Sequence, residues 1–155
     1  MKNLRQDDLL TFEKISIPNT LETLTDLIRS AGFYTTKPRR LKELGLFILN
    51  NYGSLTKLQN KPIQKIREEL LGVYGIGPET ADTLILYALD KPSFVVDAYT
   101  QKFVKKYVLT DEQNYDSLKI FFESSLPQDV TIYQNCHILI IADQKGIEHC
   151  KMEWI

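Results

Sequence analysis

Residue type and spacing first suggest chemistry at Gly75-Ile76-Gly77-Pro78-Glu79-Thr80-Ala81-Asp82. Two glycines straddling one apolar residue let a backbone turn tightly and approach a ligand closely. Pro78 pre-sets the first turn of a following helix, whose leading amides have no partner within the helix. Such N–H groups, backed by the helix dipole, suit a phosphate oxygen. A contact of this kind holds a backbone without reading bases. A plain turn between two helices is the competing reading, and GxG alone does not separate them. Ile76 would then plug the groove between those helices. Asp97 stands where an N-cap belongs, ahead of a helical pattern through Tyr107. Cys136-His137 and His149-Cys150 could meet at a metal, but their spacing matches no zinc pattern.

Composition narrows the class without choosing the function. With 43% hydrophobic and 25% charged residues, the 155-residue chain reads as an ordinary globular domain rather than a disordered or fibrous one. No apolar run approaches the length that spans a bilayer, and the N-terminus lacks a signal peptide's apolar stretch, so the cytoplasm is the expected location. Two cysteines make no disulfide framework. A net charge of −1 speaks weakly against nucleic acid, because affinity for DNA comes largely from phosphate neutralisation. Distribution matters more than the sum. Between Thr36 and Gly75 stand eight basic residues (Lys37, Arg39, Arg40, Lys42, Lys57, Lys61, Lys65, Arg67) against three acidic ones (Glu43, Glu68, Glu69). That zone could meet a polyanion or could simply be a solvated helix face.

The elements that must position these residues read as helices. Asn19-Thr20-Leu21-Glu22 has capping-box spacing, Leu21, Leu24, Leu27 and Ile28 share one face, and Gly32 is a natural stop. A second helix follows Lys37-Pro38 and ends at Asn51-Tyr52-Gly53-Ser54; a third runs from Pro62 to about Leu71. Residues 79–89 form the helix after the turn, and further helical patterns cover about 115–124 and 131–143. Phe94-Val95-Val96 looks extended but is too short and isolated to build a sheet. The expectation is an all-α fold with short connections.

The hairpin string Gly75-Ile76-Gly77-Pro78-Glu79-Thr80-Ala81-Asp82, followed by Val95-Val96-Asp97-Ala98-Tyr99-Thr100, closely resembles the helix-hairpin-helix DNA glycosylase superfamily of endonuclease III. Gly32-Phe33-Tyr34-Thr35-Thr36-Lys37 also looks like that family's loop before the next helix. The resemblance covers about 21 to 107 and, more loosely, the remainder. It implies one glycosylase-like domain over 1–155, with a helical-barrel lobe at about 19–95 and a second helical lobe at about 96–155. Asp97 matches the family's catalytic aspartate. A carboxylate near the anomeric carbon can oppose the charge that builds on the sugar and help a water attack. Asp97 could also simply cap its helix, and the two roles are compatible.

Other positions carry over one at a time. Gly75, Gly77 and Thr80 match positions that meet phosphate through their backbone amides, with Ile76 and Glu79 in the same hairpin. Backbone carbonyls of Leu71, Val73 and Ile76 match a monovalent-cation site of some relatives. Phe33 matches a position that inserts into the base stack, though it could equally face the core. Lys37 closes the same loop. Glu79 departs from the pattern: it falls where bifunctional members carry an attacking lysine, and a carboxylate cannot form a Schiff base. The resemblance therefore implies a monofunctional enzyme, nearest the alkylation-repair branch that removes methylated adenine from double-stranded DNA.

Two differences set further expectations. Many relatives end in a four-cysteine loop around an iron–sulfur cluster; Cys150 falls near the first ligand position with no cysteine after it, so no cluster is expected. Relatives also carry an earlier helix and a wedge loop ahead of the segment resembling 19–32. The fold is therefore expected to lack part of its N-terminal region, which makes a homodimer plausible. It also leaves a degenerate, non-catalytic DNA-binding protein, or a helical interaction module that uses the hairpin only as a turn, as the alternatives.

Overall fold

The computed structural model describes residues 11–17, 21–29 and 36–147. Among the described residues every regular element is helical. In chain order these are α1 (Phe12–Ile15), α2 (Leu21–Leu27), α3 (Lys37–Asn51), α4 (Leu55–Gln59), α5 (Ile63–Leu71), α6 (Pro78–Thr83), α7 (Ala98–Tyr107), α8 (Tyr115–Ser125) and α9 (Val130–Gln144). The all-α expectation holds. Contacts divide the chain into two compact units, Met1–Ile76 and Gly77–Ile155. The division falls inside the hairpin.

In the first unit, Leu44, Gly45 and Ile48 turn inward from α3. A Cβ on Gly45 would stand 2.7 Å from Ser16 Oγ, so only glycine lets the end of α1 sit this close to α3. Ile15 and Leu24 form a small core with Leu27, Ile28 and Leu41 packed against it. The chain leaves α3 through Gly53, whose positive φ of 72° suits glycine and whose amide bonds the Ile48 carbonyl at 2.9 Å. Ser54 then caps α4, accepting from the Lys57 amide. The sequence reading took Asn51-Tyr52-Gly53-Ser54 only as a stop; Ser54 is also a start. α5 follows Pro62 as expected and buries Ile66 and Leu70 completely.

The second unit is built around Leu86, Phe94, Val95, Val96, Val104, Leu118, Phe122, Tyr133 and Ile140. Phe94 stacks on Phe122 at 4.4 Å and meets the Tyr133 ring edge-on at 5.6 Å. The extended-looking run at 94–96 is therefore a buried connector, and side chains serve its backbone. Phe94 N donates to Glu123 Oε1 (2.9 Å), and Val96 N to the Tyr115 hydroxyl (3.5 Å). Lys119 Nζ donates to the Phe94 carbonyl (3.3 Å), and the Thr100 hydroxyl lies 3.4 Å from that of Val95.

One helix departs from its expected form. Residues 79–89 read as a regular helix, but after Thr83 the ladder widens over Leu84–Ala88, and Leu89 N bonds the Leu84 carbonyl five residues back at 3.0 Å. The Thr83 hydroxyl bonds the Glu79 carbonyl at 2.7 Å, competing with the ladder just before it opens. Gln134 Nε2 reaches in from α9 to satisfy the Leu86 carbonyl at 3.1 Å. Single widened turns of this kind recur beside functional sites. Among the described residues no helix is long and apolar enough to cross a membrane.

Candidate active site

Asp97 lies at the N-cap of α7, and its two carboxylate oxygens do different things. Oδ1 accepts from the Thr100 amide at 2.8 Å and the Thr100 hydroxyl at 3.0 Å. That oxygen caps the helix. Oδ2 faces His137 Nε2 at 3.6 Å, a distance for an ion pair with a protonated ring but long for a hydrogen bond. The His137 side chain is buried on α9, and among the described residues Nε2 has no hydrogen-bond partner. Its other nitrogen, Nδ1, lies 2.8 Å from the hydroxyl of Tyr87, which the widened turn after α6 presents. Capping and chemistry are thus compatible in Asp97, because each has its own oxygen.

The electrostatics separate the acidic groups. Burial by itself would push the Asp97 carboxyl up, but His137 and the Thr100 amide and hydroxyl outweigh it and hold the group below the usual aspartate range. Glu79, in the first turn of α6, moves the other way: burial raises it, the Asp97 charge adds to this, and His137 opposes. Burial and the Asp97 charge also raise the Tyr87 phenol, so it keeps its proton. Two carboxyl groups within reach of each other's charge, driven in opposite directions, form the pattern from which acid and base roles are read.

A buried polar network holds the segment that delivers Asp97. Asp82, fully buried on α6, accepts from the Ser93 hydroxyl at 2.6 Å and the Tyr115 hydroxyl at 2.9 Å. Lys119 Nζ lies 3.3 Å from the same carboxylate and donates to Ser93 Oγ (2.7 Å) and Glu123 Oε1 (2.6 Å). These groups, supplied by α6 and α8, hold 93–96 and fix where the chain enters α7.

On the near side of the hairpin, Gly75 has φ of 79°, and the Arg40 methylenes lie 2.5–2.8 Å from where its Cβ would be. Ile76 and Val73 are buried, and Ile76 N bonds the Val73 carbonyl at 3.0 Å, closing the turn. A carbonyl carries two lone pairs, so the bond from Ile76 N leaves one of them on the Val73 oxygen. Uncharged oxygen donors such as the carbonyls of Leu71, Val73 and Ile76 suit a hard monovalent ion. Arg39 lies over the exposed Tyr74 ring at 4.2 Å, and Lys37 is exposed at the start of α3. On the far side, Gly77 is extended at φ −95°, ψ 178°, and has nothing within 4 Å of where a Cβ would point. Among the described residues no side chain caps the start of α6, whose leading amides have no partner within the helix.

The structure therefore brings Glu79 and Asp97 within each other's electrostatic reach. Phe33, with Asn19, Gly32, His149 and Cys150, lies outside the described residues. Cys136 packs against the second unit's core, and burial pushes its thiol up, which disfavours the thiolate that metals bind. Sequence reasoning missed Tyr87 and took His137 only as half of a Cys/His pair. Neither has a local signal pointing at Asp97: His137 and Tyr87 lie 50 residues apart. The same holds for Tyr115, Lys119 and Glu123. Arg39 and Arg40 were visible as charge, but their seats on Tyr74 and Gly75 were not.

Residues 1–128 match the family model of the HhH-GPD superfamily base excision DNA repair proteins. The chain belongs to that superfamily. It is 44% identical over 155 residues to a protein of Methanocaldococcus jannaschii named a putative DNA repair glycosylase, covering 97% of this chain and 67% of that one. It is 27% identical over 113 residues to endonuclease III of Thermotoga maritima, a match covering 70% of this chain and 48% of the relative. Among solved structures, it resembles the H. pylori 3-methyladenine DNA glycosylase MagIII bound to 1,N6-ethenoadenine. That likeness has a TM-score of 0.81 at 28% identity, over 95% of this chain and 76% of the other. The chain thus spans about two thirds of its archaeal relative and about half of the endonuclease III.

Proposed function

We propose that the chain is a monofunctional DNA glycosylase that binds double-stranded DNA containing damaged bases and releases alkylated ones by hydrolysing the N-glycosidic bond. One observation carries this reading: Asp97 is an ionised carboxylate with Oδ1 committed to α7 and Oδ2 facing, among the described residues, His137. A negative oxygen fixed in this way can stabilise the cation-like sugar as the bond to the base breaks. In the hydrolysis a water oxygen bonds to the anomeric carbon, the water's proton passes to Asp97 Oδ2, and the base leaves with the bonding electron pair. An alkylated base that already carries positive charge leaves neutral, so modest assistance is enough. That substrate class is also what the name of the H. pylori neighbour states for that enzyme.

Gly75, Gly77 and Thr80 would hold backbone phosphate through their amides, and Lys37, Arg39 and Arg40 would supply positive charge to DNA. Phe33 would enter the stack beside the damaged base. The carbonyls of Leu71, Val73 and Ile76 would hold a monovalent cation. Glu79 in place of an attacking lysine removes the amine that a lyase step requires.

The test uses duplexes carrying methylated adenine. Base release is expected, with strand cleavage only after alkali, and borohydride should trap no covalent protein–DNA adduct. A trapped adduct would overturn the monofunctional reading. DNA binding with no base release on any alkylated duplex would overturn the enzyme reading and leave a DNA-binding protein.

A further inference from the structure

We propose that Tyr87 and His137 are a positioning pair for Asp97, in which the Tyr87 hydroxyl fixes one tautomer of His137 and the imidazole Nε2–H then steadies Oδ2. This rests on the reading of Asp97 as the working carboxylate, and it assigns a role to two residues that the hairpin and the aspartate do not by themselves require.

The geometry allows few arrangements. His137 Nδ1 and the Tyr87 oxygen are 2.8 Å apart, so one of them donates to the other. If Nδ1 held the only ring proton, Nε2 would present a bare lone pair to a carboxylate oxygen 3.6 Å away, on a side chain only 10% exposed. That juxtaposition is repulsive and leaves a buried acceptor with no donor. If Tyr87 donates to Nδ1, the ring proton sits on Nε2 and points at Oδ2. The phenol keeps its proton at neutral pH, because burial and the nearby Asp97 charge both oppose its ionisation. A second proton on the ring would only strengthen the attraction to Oδ2.

The titratable groups bearing on this ring are Tyr87 from the widened turn, Asp97 from the head of α7 and Glu79 by its charge from α6, with Tyr133 and Cys136 nearby on α9 itself. All the charged partners among them are acidic, so a donor at Nε2 is the arrangement they favour.

The arrangement inverts the familiar roles of an aspartate–histidine pair. Usually the carboxylate orients a working imidazole. Here the imidazole orients a working carboxylate, and the phenol orients the imidazole. The widened turn supplies the phenol, since Tyr87 lies within Leu84–Ala88. The 3.6 Å separation leaves Oδ2 room to accept a proton from water without first breaking a short hydrogen bond.

Two measurements on the full chain test this, and only the second depends on turnover. Long-range proton–nitrogen spectra of histidine-labelled protein should show the Nε2–H tautomer for His137, identified by its disappearance in His137→Gln. Tyr87→Phe should weaken that preference. A His137 ring in the Nδ1–H form would overturn the proposal even if the protein excises nothing. Where excision is measured, His137→Ala should lower kcat by about 10- to 100-fold, as when an orienting partner of a working group is lost, with little change in KM. It should also move the acid limb of the kcat/KM profile to higher pH. His137→Gln, which keeps an N–H donor near Oδ2, should recover most of both. A wild-type acid limb in His137→Ala, or equal losses in the Ala and Gln variants, would overturn it. Absence of excision in the wild type, with the expected tautomer present, would count against the glycosylase reading and leave the pair standing.

Discussion

Asp82 and Asp97 are carboxylates of the same unit, one on each side of the buried 93–96 segment, and they are held in opposite ways. Asp82 is fully buried and receives Ser93 and Lys119 on one oxygen and Tyr115 on the other. Asp97 spends Oδ1 on the Thr100 cap and turns Oδ2 toward a histidine nitrogen that has no hydrogen bond among the described residues. A buried carboxylate with both oxygens engaged by donors can do nothing but hold structure, since any proton or substrate must first displace a partner. One with an oxygen in reserve can act. The two are also connected: the network around Asp82 fixes the segment that delivers Asp97 to the head of α7.

The comparison breaks most visibly on exchange of the two tests. Asp97→Asn should lower base excision on the order of a thousandfold, about 4 kcal/mol of barrier, by removing the negative charge opposite the sugar. It should leave stability within about 1 kcal/mol, because asparagine caps helices as well as aspartate. Denaturant titration beside excision rates on one preparation checks both halves. Asp82→Ala should do the reverse and lose about 3 kcal/mol of stability, since it leaves the Lys119 ammonium buried with one partner fewer. An Asp82→Ala protein of wild-type stability would show that the saturated carboxylate is not scaffold.

The glycines of the hairpin repeat the contrast on a smaller scale. Gly75→Ala places a Cβ at positive φ against the Arg40 side chain, so it should cost about 1–2 kcal/mol in thermal or denaturant unfolding. Gly77→Glu meets nothing within 4 Å and should fold normally, yet lose DNA binding in a low-salt titration, because it sets an anion where phosphate would approach. The smallest expected effect is at Glu79. Its carboxyl is raised in the folded state, so folding favours its proton and the ionised form costs stability as pH rises above the ordinary carboxylate range. Glu79→Gln should therefore stabilise near neutral pH by less than about 1 kcal/mol at so exposed a site, with the gain fading in acid. Asp97 has the opposite sign: its contribution is present at neutral pH and disappears as pH falls through its depressed folded value.

Helix periodicity, proline placement and capping residues were enough to read the class of fold and most elements in it, because each rests on contacts within a few residues. The reading was weakest where tertiary partners decide. Ser54 as the start of α4 was taken as a stop only. The 94–96 run reads as extended but too short to build a sheet; that it is a buried connector depends on Glu123, Tyr115, Lys119 and Thr100, which serve its backbone. The regular helix expected over 79–89 opens after Thr83, where a side-chain bond competes with the ladder and α9 supplies a replacement donor.

By itself the sequence determined the hairpin's backbone chemistry, the absence of a lysine at 79 and the place of Asp97 before α7. All three are local: a left-handed glycine, a side-chain type and a cap depend on the nearest few residues. Only the tertiary structure decided which oxygen of Asp97 is in reserve. That depends on a histidine from α9 and a tyrosine from a widened turn, 50 residues apart in the chain and joined by one 2.8 Å contact. No spacing rule encodes such a meeting, because burial in a shared core and not the order of the residues brings the two rings to the carboxylate.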